Sequence, residues 1–260
     1  IAFKFCTHMS LATYFFKYDM AEKIFKLFYR LNEQNKSYGS ETSRCLFMGL
    51  IGAAQYRIKK KRRYLTMLRS AIRTLHKSSK TKGRNCMHHL FILEAEEAAS
   101  TKSAPDPQNV KNLYDLAVLV ATKVSHVQDA ALACELAGEH FVRQGQHDMV
   151  SSYFAMAAEY YIEWGATIKV QHVLDRRGKY IEHHAMQKIR RKLDGDVEED
   201  DGIVSNFTGS ESGSGAQRTQ LDFLASTQVG LDSAMEAISE NGPPVHPEDT
   251  VSVLTDLSGY

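Results

Sequence analysis

The strongest chemical character in this chain belongs to a run of cations, Lys59, Lys60, Lys61, Arg62 and Arg63, with Arg57, Arg69 and Arg73 close by. No Asp or Glu occurs anywhere in 42–93. A run of this kind attracts anions: nucleic acid, anionic lipid or an acidic protein segment. No aromatic residue interrupts 57–63 to stack on bases, which argues against nucleic acid. The competing use of the same residues is a solvated turn between helices. The opposite charge gathers at Asp194, Asp196, Glu198, Glu199, Asp200 and Asp201. That acidic segment is one candidate partner for the basic run within the chain itself.

Groups able to do acid–base or metal chemistry are present but scattered. Glu94, Glu96, Glu97, Glu135, Glu139 and Glu159 fall in helical patterns, where carboxylates either stay solvated or bond a neighbouring helix. His88-His89 and His183-His184 are adjacent pairs. Neighbours on a helix point about 100° apart, so neither pair matches the i, i+4 spacing of a helical chelate. Cys6, Cys45, Cys86 and Cys134 are far apart, without a C-x-x-C pair, and read as reduced core residues. Neither a phosphate-binding G-x-x-x-x-G-K-[ST] loop nor H-E-x-x-H occurs. The expectation is a non-enzymatic segment without catalytic residues, cofactor or metal.

The elements that must carry these residues are helices. The chain has 260 residues, 43% hydrophobic and 24% charged, with a net charge of +1. That suits one or two globular domains. No stretch is apolar enough to span a membrane, and no signal-peptide pattern is visible, so a cytoplasmic location is expected. Apolar residues recur at three- and four-residue steps throughout 1–193. Helices are predicted at 42–58 and 61–79, 85–101 and 107–125, 128–144 and 147–164. A final helix covers 167–193, with a possible bend at Gly178, and 1–34 forms one more pair turning near Lys17-Tyr18-Asp19. The period is about 40 residues, in the range of helical solenoid repeats. First helices of the pairs carry small residues such as Gly49, Gly52, Ala137 and Gly138. Second helices carry Tyr64, Tyr114, Tyr153 and Tyr161 beside alanines. Small side chains let two helices approach closely.

The fold class expected is therefore all-α: a TPR-like α-solenoid of antiparallel helix pairs with a disordered C-terminal tail. The domains are 1–193 for the repeats, 194–220 for an acidic, Gly/Ser-rich linker, and 221–260 for a weakly helical to disordered tail. The single tryptophan, Trp164, closes one amphipathic helix and is expected to pack in the core beside Tyr160 or Tyr161. Gly165 is expected to end that helix in the left-handed conformation.

An ordered string of motifs runs through 68–173. Asn85-Cys86-Met87-His88 leads into Leu93-Glu94-Ala95-Glu96, followed by Tyr114-Asp115-Leu116-Ala117. Ala131-Leu132-Ala133-Cys134-Glu135-Leu136-Ala137 comes next, with Phe141 a turn later. The string ends in Ala157, Tyr161, Trp164, Gly165, Ala166, Lys169 and Val170. It resembles the helical, TPR-like repeat region of large multidomain predicted-ATPase (AAA-type) signalling proteins, coupled to sensor/histidine-kinase, Ser/Thr-kinase-like or cyclase modules. Val150-Ser151-Ser152 departs from the family's usual Ala-x-x-Tyr-Leu. The resemblance marks Glu135, Tyr161, Trp164, Gly165, Ala166 and Lys169 as structural signature residues. It implies a fragment of a longer protein acting as a protein-interaction and signal-relay scaffold. Its partners are then other domains of the same parent, or separate proteins. A freestanding TPR-like adaptor for an acidic or peptide partner is the alternative. An enzyme with an unrecognised helical active site is the alternative of another class.

Overall fold

The computed structural model describes residues 2–31, 41–82, 86–101 and 106–194. The expected acidic linker from 195 on and the tail at 221–260 lie outside the described residues, as does Asn85 of the motif string. Ten α-helices run through the described residues, and no strand occurs among them. They are α1 (Ala2–Tyr14), α2 (Tyr18–Leu31), α3 (Glu41–Lys59), α4 (Arg62–Lys82), α5 (Met87–Thr101), α6 (Pro107–Lys123), α7 (Val127–Gln144), α8 (His147–Glu163), α9 (Thr167–Arg177) and α10 (His183–Asp194). The described residues are all-α, with boundaries close to those that periodicity predicts. The final helix differs. It is not one bent rod: α9 stops at Arg177, a 3-10 turn covers Gly178–Tyr180, and α10 starts afresh at His183. Ile181 is extended there (φ −82°, ψ 131°), which no continuous helix tolerates.

The helix junctions share one device. The chain turns through a single left-handed residue after α1, α3, α6, α7 and α8: Phe16, Lys60, Ser125, Gly145 and Gly165, with φ between 52° and 77°. Four of these close as Schellman motifs. After α8, Gly165 N–H donates to Ile162 C=O at 2.8 Å and Ala166 N–H to Tyr161 C=O at 2.9 Å. The matching long bonds are Lys17 to Ala12 at 2.7 Å, His126 to Ala121 at 2.8 Å and Gln146 to Phe141 at 3.0 Å. Lys60 closes the simpler left-handed cap, donating to Tyr56 C=O at 2.9 Å. In each Schellman turn the residue after the left-handed one is the last before the next helix. Orphan carbonyls of one helix are thus satisfied within the few residues that start another.

The described residues form two compact units, divided after Ala133 within α7. In the first, α1 packs on α2, α3 on α4 and α5 on α6, and α5 also packs on α3 and α4. Gly52 explains how closely α3 meets α4: a Cβ there would lie 2.8 Å from the Tyr64 carbonyl oxygen and 3.0 Å from Leu68 N. Leu50, Ile51, Leu68, Leu75, Leu90, Phe91 and Tyr114 are fully buried in this unit. In the second, Phe141 of α7 stacks on Tyr153 of α8, ring centroids 5.5 Å apart. Both α9 and α10 pack on α8. The cysteines are free thiols, with Cys45, Cys86 and Cys134 buried and Cys6 half-buried.

Candidate functional site

Two kinds of buried polar cluster stand out. The first kind is a tyrosine, a glutamate and a cation tied across helices, and it occurs three times. Tyr64 Oη donates to Glu22 Oε1 at 2.8 Å, and Lys59 Nζ donates to Glu22 Oε2 at 2.9 Å. Tyr114 Oη donates to Glu96 Oε1 at 2.7 Å, and Arg57 from α3 pairs with Glu96 Oε2. Tyr161 Oη donates to Glu135 Oε2 at 2.9 Å, and Lys169 from α9 reaches Glu135 Oε1 at 2.7 Å. The three tyrosines and three carboxylates are buried. Such groups persist in a core only when paired and hydrogen-bonded.

Their electrostatics follow from that pairing. Burial raises the Glu22 carboxyl, but bonds from Lys26, Lys59 and Tyr64 outweigh it and hold the pKa at about 2. Deeper in the core, burial pushes the Glu135 carboxyl up against the pull of Lys169 and Tyr161, and burial pushes the Lys169 ammonium down. Glu139, one turn after Glu135, takes a two-pronged bond from Arg177, both N–O distances 2.7 Å. Arg176 adds a further contact to Glu139 at 3.2 Å. These geometries join helices, each carboxylate bonded by donors from neighbouring helices.

The second kind is a cluster of imidazoles on a single carboxylate. His88 Nε2 and His89 Nε2 each lie 3.1 Å from Asp129 Oδ2. His126 Nδ1 lies 3.4 Å from the same oxygen. His88 and His89 come from the first turn of α5, Asp129 from the first turn of α7, and His126 immediately precedes α7. His88, His89 and Asp129 are buried, while the His126 side chain is 41% exposed. His88 Nδ1 and His89 Nδ1 are buried without a hydrogen-bond partner. Burial lowers the His88 pKa, with Asp129 opposing. Burial would raise Asp129, yet the two histidine bonds hold it well below the usual carboxylate range.

Sequence spacing gave no reason for His88 and His89 to converge, and they do. Two imidazoles 100° apart on the helix still converge when their rings turn toward a common acceptor, and here the ring centroids are 4.1 Å apart. The acceptor comes from 40 residues along the chain, so no local spacing reveals it. His183 and His184, the other adjacent pair, are exposed.

Protein-family models, curated proteins and solved structures were all compared with the chain, and none matches.

The basic run divides on folding. Lys59 bonds Glu22, and also Asp19 Oδ1 at 3.2 Å. Arg63 donates to Tyr64 Oη at 2.8 Å and stacks over that ring. Nearby acids therefore do neutralise part of the run, because α2 brings Asp19 and Glu22 against the α3–α4 turn. Lys60 lies over the Tyr56 ring, 5.6 Å from its centroid, and remains exposed. Lys61 and Arg62 are exposed as well. Beside them Ile58 is 71% exposed.

Of the signature residues, Glu135, Tyr161 and Lys169 meet in one tie. Gly165 takes the left-handed conformation expected of it (φ 77°), and Ala166 caps α9. Trp164 does not pack in the core. It is 46% exposed, at the C-cap of α8, with its ring 6.4 Å from Tyr161. Glu96 is the buried counterpart of Glu135, while Glu94 sits half-buried, 3.0 Å from His76 Nε2. An open groove of about 910 Å³ lies between α9 and α10, lined by Ile168, Leu174, Ile181 and Met186 among others. No described helix is long and apolar enough to cross a membrane.

Proposed function

We propose that this chain is a non-catalytic protein-interaction and relay scaffold: a TPR-like α-solenoid of antiparallel helix pairs from a larger ATPase-coupled signalling protein. The observation that carries the reading is the threefold recurrence of the tyrosine–glutamate–cation tie. A device repeated along a chain is what stacked repeats need, since each unit must fix its neighbour. The repeated left-handed turn supports it independently. The motif string through 68–173 supports the parent family, and Glu135, Tyr161 and Lys169 serve there as structural residues.

On this reading the partner-facing chemistry includes the α3–α4 turn, where Lys60, Lys61 and Arg62 are exposed beside Ile58. A mixed basic and apolar tip suits an acidic peptide carrying an apolar residue, from another domain of the parent or a separate protein. The test is fluorescence anisotropy of a labelled peptide with the sequence of residues 194–203, titrated with the chain at low and high salt. Binding that weakens with salt, and is lost in Lys60→Glu/Lys61→Glu/Arg62→Glu, is the expected outcome. Affinity unchanged by the triple charge reversal would remove the turn as a docking surface.

A further inference from the structure

We propose that His88, His89, His126 and Asp129 form a closed structural site for a divalent transition-metal ion, with Zn2+ the best match. The donor set is three imidazoles and one carboxylate, which suits Zn2+ among biological cations. The distances fit as well. Ligands about 2.0–2.1 Å from a tetrahedral ion stand roughly 3.3 Å apart along each edge. Here the three nitrogens lie 3.1, 3.1 and 3.4 Å from Asp129 Oδ2. The donor atoms of His88, His89 and Asp129 all fall within 4.8 Å of one another, while His126 lies outside that set, with its Nδ1 also 3.4 Å from Gln128 Nε2, and its ring must swing in to complete the site.

A hydrogen-bonded node is the other way to account for the cluster, and it is a poor bargain. Three ring nitrogens crowd one carboxylate oxygen, Asp129 Oδ2. An ion at the centre would replace those crowded contacts with four coordinate bonds. With His126 swung in, side chains fill all four positions and leave none for water or substrate; such a site stabilises structure and does not catalyse. It would pin the first turn of α5 to the first turn of α7, a join that no tyrosine–glutamate tie makes. The half-exposed His126 side chain gives an ion its way in.

The test is calorimetric titration of the chelator-stripped chain with Zn2+, together with the visible spectrum of the Co2+-loaded chain. One ion per chain and the intense absorption of tetrahedral cobalt are expected. His126→Ala and Asp129→Asn should each weaken Zn2+ affinity at least about ten-fold. The exposed pair variant His183→Ala/His184→Ala should leave it unchanged. His126 sits at a turn, so His126→Ala keeps the experiment decisive even where Asp129→Asn fails to fold. Three results would overturn the site: no stoichiometric binding, the weak spectrum of octahedral cobalt, or equal affinity in the parent and His126→Ala.

Discussion

Tyr161 of α8 donates its buried hydroxyl to Glu135 of α7 across 2.9 Å, and Lys169 of α9 completes the contact from the other side at 2.7 Å. Three helices therefore share one carboxylate. The same grammar recurs where Tyr114 and Arg57 meet Glu96. In both, a buried carboxylate takes one donor on each oxygen, and the donors come from other helices, so the bonds join helices.

The turns make a prediction of opposite sign at two sites. Ser125 holds φ 58° without being glycine, and Gly165 holds φ 77° as glycine. A left-handed residue bearing a Cβ costs about 1–2 kcal/mol, partly offset by glycine's larger unfolded-state entropy. Ser125→Gly should stabilise the chain by about 0.5–1 kcal/mol, and Gly165→Ala should destabilise it by about 1 kcal/mol. Urea denaturation checks both. A destabilised Ser125→Gly would mean that the serine contributes more than its backbone conformation.

Acid should loosen the first unit. The folded Glu22 carboxyl titrates at about 2, below the ordinary glutamate value of about 4.3. Its contribution is thus fully present above about pH 4.3 and is lost as pH falls through about 2. Asp129, also depressed, acts in the same direction. Glu22→Gln should flatten the fall of the urea midpoint between neutral and acid pH. A variant with the parent's full acid dependence would rule out Glu22 as a source of it.

Trp164, at 46% exposure, should emit like a solvated indole. Trp164→Ala should cost less than about 1 kcal/mol, far below the loss for a core aromatic. A blue-shifted emission that moves red on unfolding would place the ring in a core after all.

Much of this was legible in the sequence, and the failures have physical causes. Helix periodicity marked nearly every boundary, since amphipathic helices must turn one face inward. Gly145 and Gly165 announced their turns; Phe16, Lys60 and Ser125 did not, because the hydrogen bonds that close those turns impose a left-handed conformation that such side chains disfavour. Trp164 was misleading because it keeps the i, i+3 spacing from the buried Tyr161, yet at the C-cap of α8 its ring stays 46% exposed. Lys59 and Arg63 read as free cations, since the acids that pair with them lie on α2, about 40 residues earlier. His88 and His89 were illegible for the same reason: Asp129 supplies the shared acceptor from another helix.

The measurement closest to the central claim is a double-mutant cycle on Glu135 and Lys169, read by urea denaturation. If the tyrosine–glutamate–cation cluster is a structural tie, Glu135→Gln and Lys169→Met each strand a buried partner and should each cost about 3–5 kcal/mol. The double variant, with neither charge left to strand, should cost much less than their sum. Single variants as stable as the parent, or more so, would contradict this account. The cluster would then no longer support the scaffold reading.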